Sequence, residues 1–109
     1  MKHDFEYEQM LKGELYYAPD ILPDNKSITG QVLAQQINQV PLDNLAEIIR
    51  LEKKLFKKTG EHFYVHPPFH VDYGRHMTLG ENFYANMDCI FLDVNEIIFG
   101  DNVMVGPRV

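Results

Sequence analysis

Residues 67–107 read PPFHVDYGRHMTLGENFYANMDCIFLDVNEIIFGDNVMVGP, and neither a period of 2 nor one of 3.6 accounts for them. A period of six does. Steps of six from Pro67 reach Tyr73, Leu79, Ala85 and Phe91, then resume after a slip of two residues at Phe99 and Val105, and none of these positions carries a charge. The next position of each hexad is Pro68, Gly74, Gly80, Asn86, Leu92, Gly100 or Gly106, so glycine predominates there. Four positions after each start stand Val71, Met77, Phe83, Cys89, Asn95, Val103 and Val109, all apolar except Asn95, which falls at the slip. This pattern predicts a coil with flat faces and sharp corners, one short strand and one turn per hexad. The starting side chain and the one four later point inward, and glycine marks places where a neighbouring coil leaves no room for Cβ or where φ is unusual. Short fixed repeats of this kind predict a β-solenoid, in which stacked coils bury their apolar ladders and pair each strand with those above and below. On a three-sided coil of hexads, a face returns about every 18 residues. That spacing puts His70 over Asp88 and Arg75 over Asp93 as a ladder ion pair.

Upstream of the hexads the pattern is helical. Phe5, Met10 and Leu11 give a short apolar stripe ended by Gly13. Pro19 and Pro23 then break the chain into a loop. Asp24 is the predicted cap of a second helix with Ile28, Val32, Leu33 and Ile37 inside, and Asp43 that of a third carrying Leu45, Ile48, Ile49, Leu55 and Phe56, with Gly60 at its end. Fewer than about 60 residues make a marginal core of their own. These helices are therefore expected to form a cap that leans on the strands.

The 109 residues suffice for one domain or a piece of one, and 12% aromatic content is too much apolar surface for a disordered chain. No apolar run approaches the roughly 18–20 residues that cross a bilayer. With 16 acidic against 10 basic residues the net charge is −6, which disfavours a nucleic-acid partner, whose phosphates are neutralised by Lys and Arg. Lys53, Lys54, Lys57 and Lys58 read as a solvated helix face. A single cysteine, Cys89, cannot form an internal disulfide, and the start MKHDFEYEQM lacks the apolar stretch of a secretory signal, so a cytoplasmic location is expected.

The hexads resemble those of the hexapeptide-repeat acyltransferases. The run quoted above is similar to the maltose and galactoside O-acetyltransferases, a family of sugar acetyltransferases, and MLKGELYYAPD at 10–20 resembles their N-terminal cap. The resemblance implies an all-β solenoid, a left-handed parallel β-helix of hexapeptide repeats with an N-terminal α-helical cap. Residues 1–60 would be the cap, and 61–109 the first coils, broken off after slightly more than two. It also implies acetyl transfer from acetyl-CoA to a sugar hydroxyl, without a metal, in a homotrimer that holds CoA between neighbouring coils.

Such a reaction needs a base for the hydroxyl and donors for the oxyanion. The family's histidine lies in a segment beyond Val109, with much of the CoA site, so this portion is expected to be inactive alone. His3, His62, His66, His70 and His76 are not expected to converge, and Cys89 reads as a small core residue. By resemblance Asn86 contacts the acceptor region. Its amide can orient a hydroxyl without competing for the proton, while a bland role as a left-handed corner is also open. Tyr84 is either a wall for a sugar ring or an aromatic packed on the cap. Asp72 matches a polar position near the acceptor, and otherwise is a solvated corner. Asp93 matches an acid of the family, with the pair to Arg75 as its structural alternative. Tyr17 stands where relatives often carry an acid, and Asp20 is a candidate to compensate. GEN at 80–82 and GDN at 100–102 read as turn chemistry. Two rival classes are a non-catalytic, trimer-forming interaction module and a metal lyase of the γ-carbonic anhydrase type.

Overall fold

A computed structural model describes residues 3–109; Met1 and Lys2, the first two residues of the expected cap, lie outside the described residues. Seven short strands follow three helices. They are β1 (Phe63–Val65), β2 (Phe69–Val71), β3 (Met77–Thr78), β4 (Phe83–Ala85), β5 (Cys89–Phe91), β6 (Ile97–Ile98) and β7 (Met104–Val105). They build three small parallel sheets, β1-β4-β7, β2-β5 and β3-β6, which the chain visits in rotation. The hexad side chains fill the space the sheets share. Val65, Phe69, Met77, Phe83, Ala85 and Cys89 are sealed from solvent, Leu79 and Phe91 nearly so, while Phe99, Val103 and Val105 at the far end are half-buried. The rings of Phe83 and Phe99 pack tilted against each other with centroids 4.8 Å apart, one turn bracing the next.

The repeat differs from expectation in length. Phe63 pairs with Phe83, Phe69 with Cys89, Met77 with Ile97 and Tyr84 with Met104, always twenty residues on. The two extra residues lie at the corner between β2 and β3, and again between β5 and β6. The second slip shows as the polar Asn95, but the first is hidden because Tyr73 is apolar. Tyr73 is buried in a separate small cluster with Met10 and Ile21. The eighteen-residue stacking therefore fails. His70 stands opposite Ile90, and Arg75 has no ion pair with Asp93 but lays its guanidinium 4.7 Å over the Tyr73 ring. Left-handed backbone recurs at the same interval, at Asn82 and Asn102 and at Asp88 and Arg108. Gly80 has a different reason: a Cβ there would overlap the carbonyl oxygen of Gly100 in the next turn.

Helix α1 (Phe5–Lys12) starts at Asp4, whose carboxylate accepts from the Tyr7 N–H, and stops at Gly13 with φ 76°. Only Met10 of its expected stripe is buried; Phe5 and Leu11 face water. The proline loop forms two 3-10 turns, and Asp24 lies in the second of them instead of capping α2 (Ile28–Asn38). The buried face of α2 is Gly30, Ala34 and Ile37, with Ile28 and Val32 exposed. Gly30 lets the helix approach so closely that a Cβ would overlap the Tyr73 carbonyl. Asn44, not Asp43, precedes α3 (Leu45–Leu55), which buries Ile48, Leu51, Glu52 and Leu55. Lys57 and Lys58 have already left the helix. Their backbone extends the β3 sheet, with Lys57 N–H donating to Met77 and Leu79 N–H to Lys58.

These contacts close the near end of all three sheets. The Glu52 carboxylate accepts from the Val65 N–H of β1 at 3.0 Å. The Asn38 amide bonds both backbone groups of Phe69 in β2, at 2.8 and 3.1 Å. Lys57 and Lys58 supply backbone to β3. Unpaired strand edges invite wrong partners. Here two side chains and a piece of extended backbone occupy them.

Candidate acceptor site

The corner between β2 and β3 carries Asp72, Tyr73, Gly74, Arg75 and His76. One turn on, Asp93 is fully buried. Its carboxylate accepts from the Tyr73 N–H at 2.7 Å and the His76 N–H at 3.3 Å, and its carbonyl accepts from His76 Nδ1 at 2.8 Å. With both oxygens engaged and no exposed surface, Asp93 holds the corner and is not available to a sugar. The resemblance could not show this, because a buried and an exposed acid look alike in sequence.

Asp72 is placed differently. It is half-buried on the same corner and lines a cleft of about 340 Å³ together with Tyr16, Ala18, Lys26, Ser27 and Val94. Burial, helped by the neighbouring charge of Asp93, pushes its carboxyl above the ordinary range. The far wall is the loop after α1, and three bonds set its position. The Asp4 carboxylate accepts from the Leu22 N–H at 3.0 Å and from the Asn25 amide at 2.9 Å, besides capping α1. Burial alone would raise the Asp4 carboxyl, but its bonds to Asn25, Leu22 and Tyr7 outweigh that and hold it low. Lys26 Nζ donates to the Pro19 carbonyl at 3.0 Å. Tyr17 and Asp20 lie on this loop exposed to solvent.

Asn86 occupies another corner, after β4. Its backbone is not left-handed, so the bland explanation for Asn at this position is removed. The side-chain oxygen accepts from the Met87 N–H at 2.8 Å. The Nδ2 group has no acceptor among the described residues. Tyr84 lies half-buried on β4, its ring 6.3 Å from that of Tyr64 in the preceding turn, so it packs in an aromatic ladder on the strands and not on the helices. Asn86 and Asp72 thus sit at different corners of one chain.

The histidines do not assemble. His3 pairs with Glu8 and His62 with Glu81 at the surface, His66 contacts the Pro67 carbonyl, and His70 is exposed. His76 is buried. A carbonyl only accepts, so Nδ1 carries the proton shared with Asp93, and in the neutral ring Nε2 accepts from the Tyr7 hydroxyl at 2.6 Å. Among the described residues no three His, Cys, Asp or Glu side chains converge as a metal site would need. At the GEN and GDN corners, the Glu81 carboxylate accepts from the Glu61 and His62 N–H groups, which hold it low, and the Asn82 amide donates to Asn102. Besides Asp4, one buried group escaped the sequence reading. Glu52 is pushed up to about 8 by burial, only partly offset by the Val65 N–H, and its second oxygen has no partner among the described residues. Its neighbours in the helix signal only an amphipathic stripe.

Three parallel sheets built from hexads, closed by a helical cap, define a hexapeptide-repeat protein. Residues 9–60 match the maltose acetyltransferase hexapeptide capping motif. The chain is 39% identical to a maltose O-acetyltransferase of Clostridium difficile 630, with a TM-score of 0.89 over 94% of this chain and 55% of that one. It is 29% identical to a galactoside acetyltransferase solved in complex with coenzyme A, with a TM-score of 0.84 over 94% and 51%. It is also 36% identical to a sophorolipid acetyltransferase of Starmerella bombicola, over 94% of this chain and 43% of the other. The chain thus carries the capping motif of the maltose acetyltransferases, is similar to maltose and galactoside O-acetyltransferases, and spans about half the length of these relatives.

Proposed function

We propose that these 109 residues form the acceptor-side half of an acetyl-CoA-dependent sugar O-acetyltransferase. The similarity in sequence and shape to the C. difficile enzyme carries the reading, and the coenzyme A in the galactoside enzyme supports the donor. On this reading the three sheets are the opening turns of a left-handed β-helix. Residues 1–60 serve as its cap and 61–109 as its first coils. The sugar hydroxyl attacks the thioester carbon, the carbon–sulfur bond breaks, CoA thiolate leaves, and a base takes the hydroxyl proton. Asp72 accepts a hydrogen bond from the sugar, and the free Asn86 amide donates one to it. Tyr84 offers a ring edge beside Asn86. Since Asn86 and Asp72 occupy different corners, a site using both draws them from two chains, in keeping with a homotrimer. The base comes from outside these residues, because His76 is committed to the corner and the other four are scattered. A cytoplasmic location goes with acetyl-CoA as donor.

Three relatives that share this half carry different acceptor names. The acceptor is therefore assigned only as a sugar hydroxyl. The test is acetyl transfer from acetyl-CoA to maltose and to galactosides, by this chain and by a fusion of it to the remaining half of the C. difficile enzyme. The fusion should turn over and the chain alone should not. In the fusion Asn86→Ala should lower kcat/KM about tenfold, as for loss of one hydrogen bond to the acceptor. A folded but inactive fusion would overturn the reading, and turnover by the chain alone would overturn the division of labour.

A further inference from the structure

The outward face of the β1-β4-β7 sheet carries Tyr64, His66, Tyr84 and Asn86 as a two-by-two block. Phe63 and Val65 turn into the core, so Tyr64 and His66 turn out, and the same alternation turns out Tyr84 and Asn86 one turn on. Tyr64 pairs with Tyr84 and Val65 with Ala85, and the His66 N–H continues that ladder to the Ala85 carbonyl, which sets His66 beside Asn86. The ring of Tyr64 lies 6.3 Å from that of Tyr84 and meets His66 edge-on at 5.7 Å. All four side chains are half-buried, so each keeps a reachable surface. The Asn86 N–H in turn donates to the Val105 carbonyl, which puts Gly106 beside Asn86 in the following turn. A Cβ added at Gly106 would meet nothing within 4 Å, so no side chain covers the Asn86 amide from that side.

His66 and Asn86 each have one end tied and one end free. The Asn86 side-chain oxygen accepts from the Met87 N–H, which leaves Nδ2 as a donor. His66 Nδ1 is held at the Pro67 carbonyl. A carbonyl only accepts, so Nδ1 carries the proton, and Nε2 of the neutral ring is left as an acceptor with no partner among the described residues. Neighbouring strands run about 4.8 Å apart. A donor and an acceptor at about that spacing suit a single hydroxyl, whose oxygen closes the gap with two bonds of about 2.8 Å at a tetrahedral angle. The geometry points to His66 as a specificity-determining residue of the acceptor site. With Asn86 it grips one sugar hydroxyl, which accepts from Nδ2 and donates to Nε2, while Tyr64 adds apolar surface for the sugar ring. This rests on the proposed sugar acetyltransferase function and adds what the acceptor must carry there, a free O–H. An ether oxygen at that place has no proton for Nε2. A carboxylate or phosphate has none either, and meets no cation in the block.

The test is an NMR titration of the 109-residue chain with maltose and with methyl β-galactoside, each beside its fully O-methylated form, following the His66 ring and the Asn86 side-chain amide. At least one of the free sugars should give saturable shifts at both groups, and its methylated form should bind several-fold more weakly. His66→Phe, which keeps a ring against Tyr64 but no acceptor, should weaken binding of the free sugar about three- to tenfold and remove its advantage over the methylated one. His66→Gln, whose side-chain oxygen can accept in place of Nε2, should keep most of the affinity. In the fusion to the C. difficile half, His66→Phe should raise KM for the sugar and leave kcat unchanged, as for binding shared by ground and transition states. No saturation with either sugar, equal binding of free and methylated sugar, or equal binding by His66→Phe would overturn the site, and a collapse of kcat would overturn its positioning role. A fusion that fails to turn over while the chain still binds sugar at His66 and Asn86 would count against the transferase function and leave the site standing.

Discussion

Glu52 sits fully enclosed between α3 and β1, with one oxygen on the Val65 N–H and the other on nothing among the described residues. Its carboxyl is pushed from 4.5 to about 8. Because the folded value lies above the unfolded one, the folded protein holds a proton that the unfolded chain gives up between those two pH values. Stability from this group is complete below about pH 4.5 and is lost progressively up to about pH 8. The loss is on the order of 3–5 kcal/mol. Urea unfolding at both ends of this window should show the loss in the wild type and little of it in Glu52→Gln, which keeps an oxygen for Val65 and has no proton to shed. Parallel pH profiles for the two proteins would rule the idea out. Asp4 acts on the Asp72 cleft by a different route, through the loop that forms its wall. Asp4→Ala should leave β-sheet circular dichroism intact while loosening the segment from Tyr16 to Asn25, seen as faster amide exchange there. Unchanged protection of the Leu22 amide would contradict that role.

Among the elements, the cap is defined less by helix packing than by what its side chains do at strand edges. Asn38 stands in for a strand, donating to and accepting from Phe69. Asn38→Ala removes both bonds and should cost about 2–3 kcal/mol, since two backbone groups lose their partners. Asn38→Asp should restore only the bond from the Phe69 N–H. Denaturant midpoints would rank the three proteins, and an Asn38→Ala variant as stable as the wild type would show the edge to be satisfied by water. Between turns, Gly80→Ala should cost about 1–3 kcal/mol by overpacking against the Gly100 carbonyl. At Gly100 no atom lies within 4 Å of an added Cβ, so Gly100→Ala should be far milder. Equal costs at the two positions would argue against close contact between turns.

Taken whole, the molecule is asymmetric from end to end. Near the helices each sheet edge is occupied. At the far end Ile97, Phe99, Val103 and Val105 are only half-buried, while Ile98 and Met104 stand 67% and 80% exposed. Apolar surface beside open strand edges promotes association. The chain in isolation should therefore sediment as a concentration-dependent mixture, and Ile98→Lys with Met104→Lys should shift it toward monomer. A single monomer boundary at every loading concentration, before any substitution, would count against this.

The six-residue ladder made the short parallel strands and their apolar positions readable from residues alone. Each inward position must be apolar whatever its neighbours do, so Leu79, Phe83, Ala85, Cys89 and Phe91 announce themselves one at a time. Gly13 likewise marks a helix end by its own backbone preference. The twenty-residue turn was not readable, because Tyr73 fills an apolar position while belonging to a different cluster. Nor was the phase of α2, where Ile28 and Val32 look internal but the small Gly30 and Ala34 are what let the helix approach the strands. The candidate site divides the same way. Asn86, Tyr84, Asp72 and Asp93 could be picked out by type and motif. Whether an acid holds a corner, as Asp93 does, or lines a cleft, as Asp72 does, depends on which N–H groups the folded chain brings within about 3 Å of it, and those come from residues a full turn away.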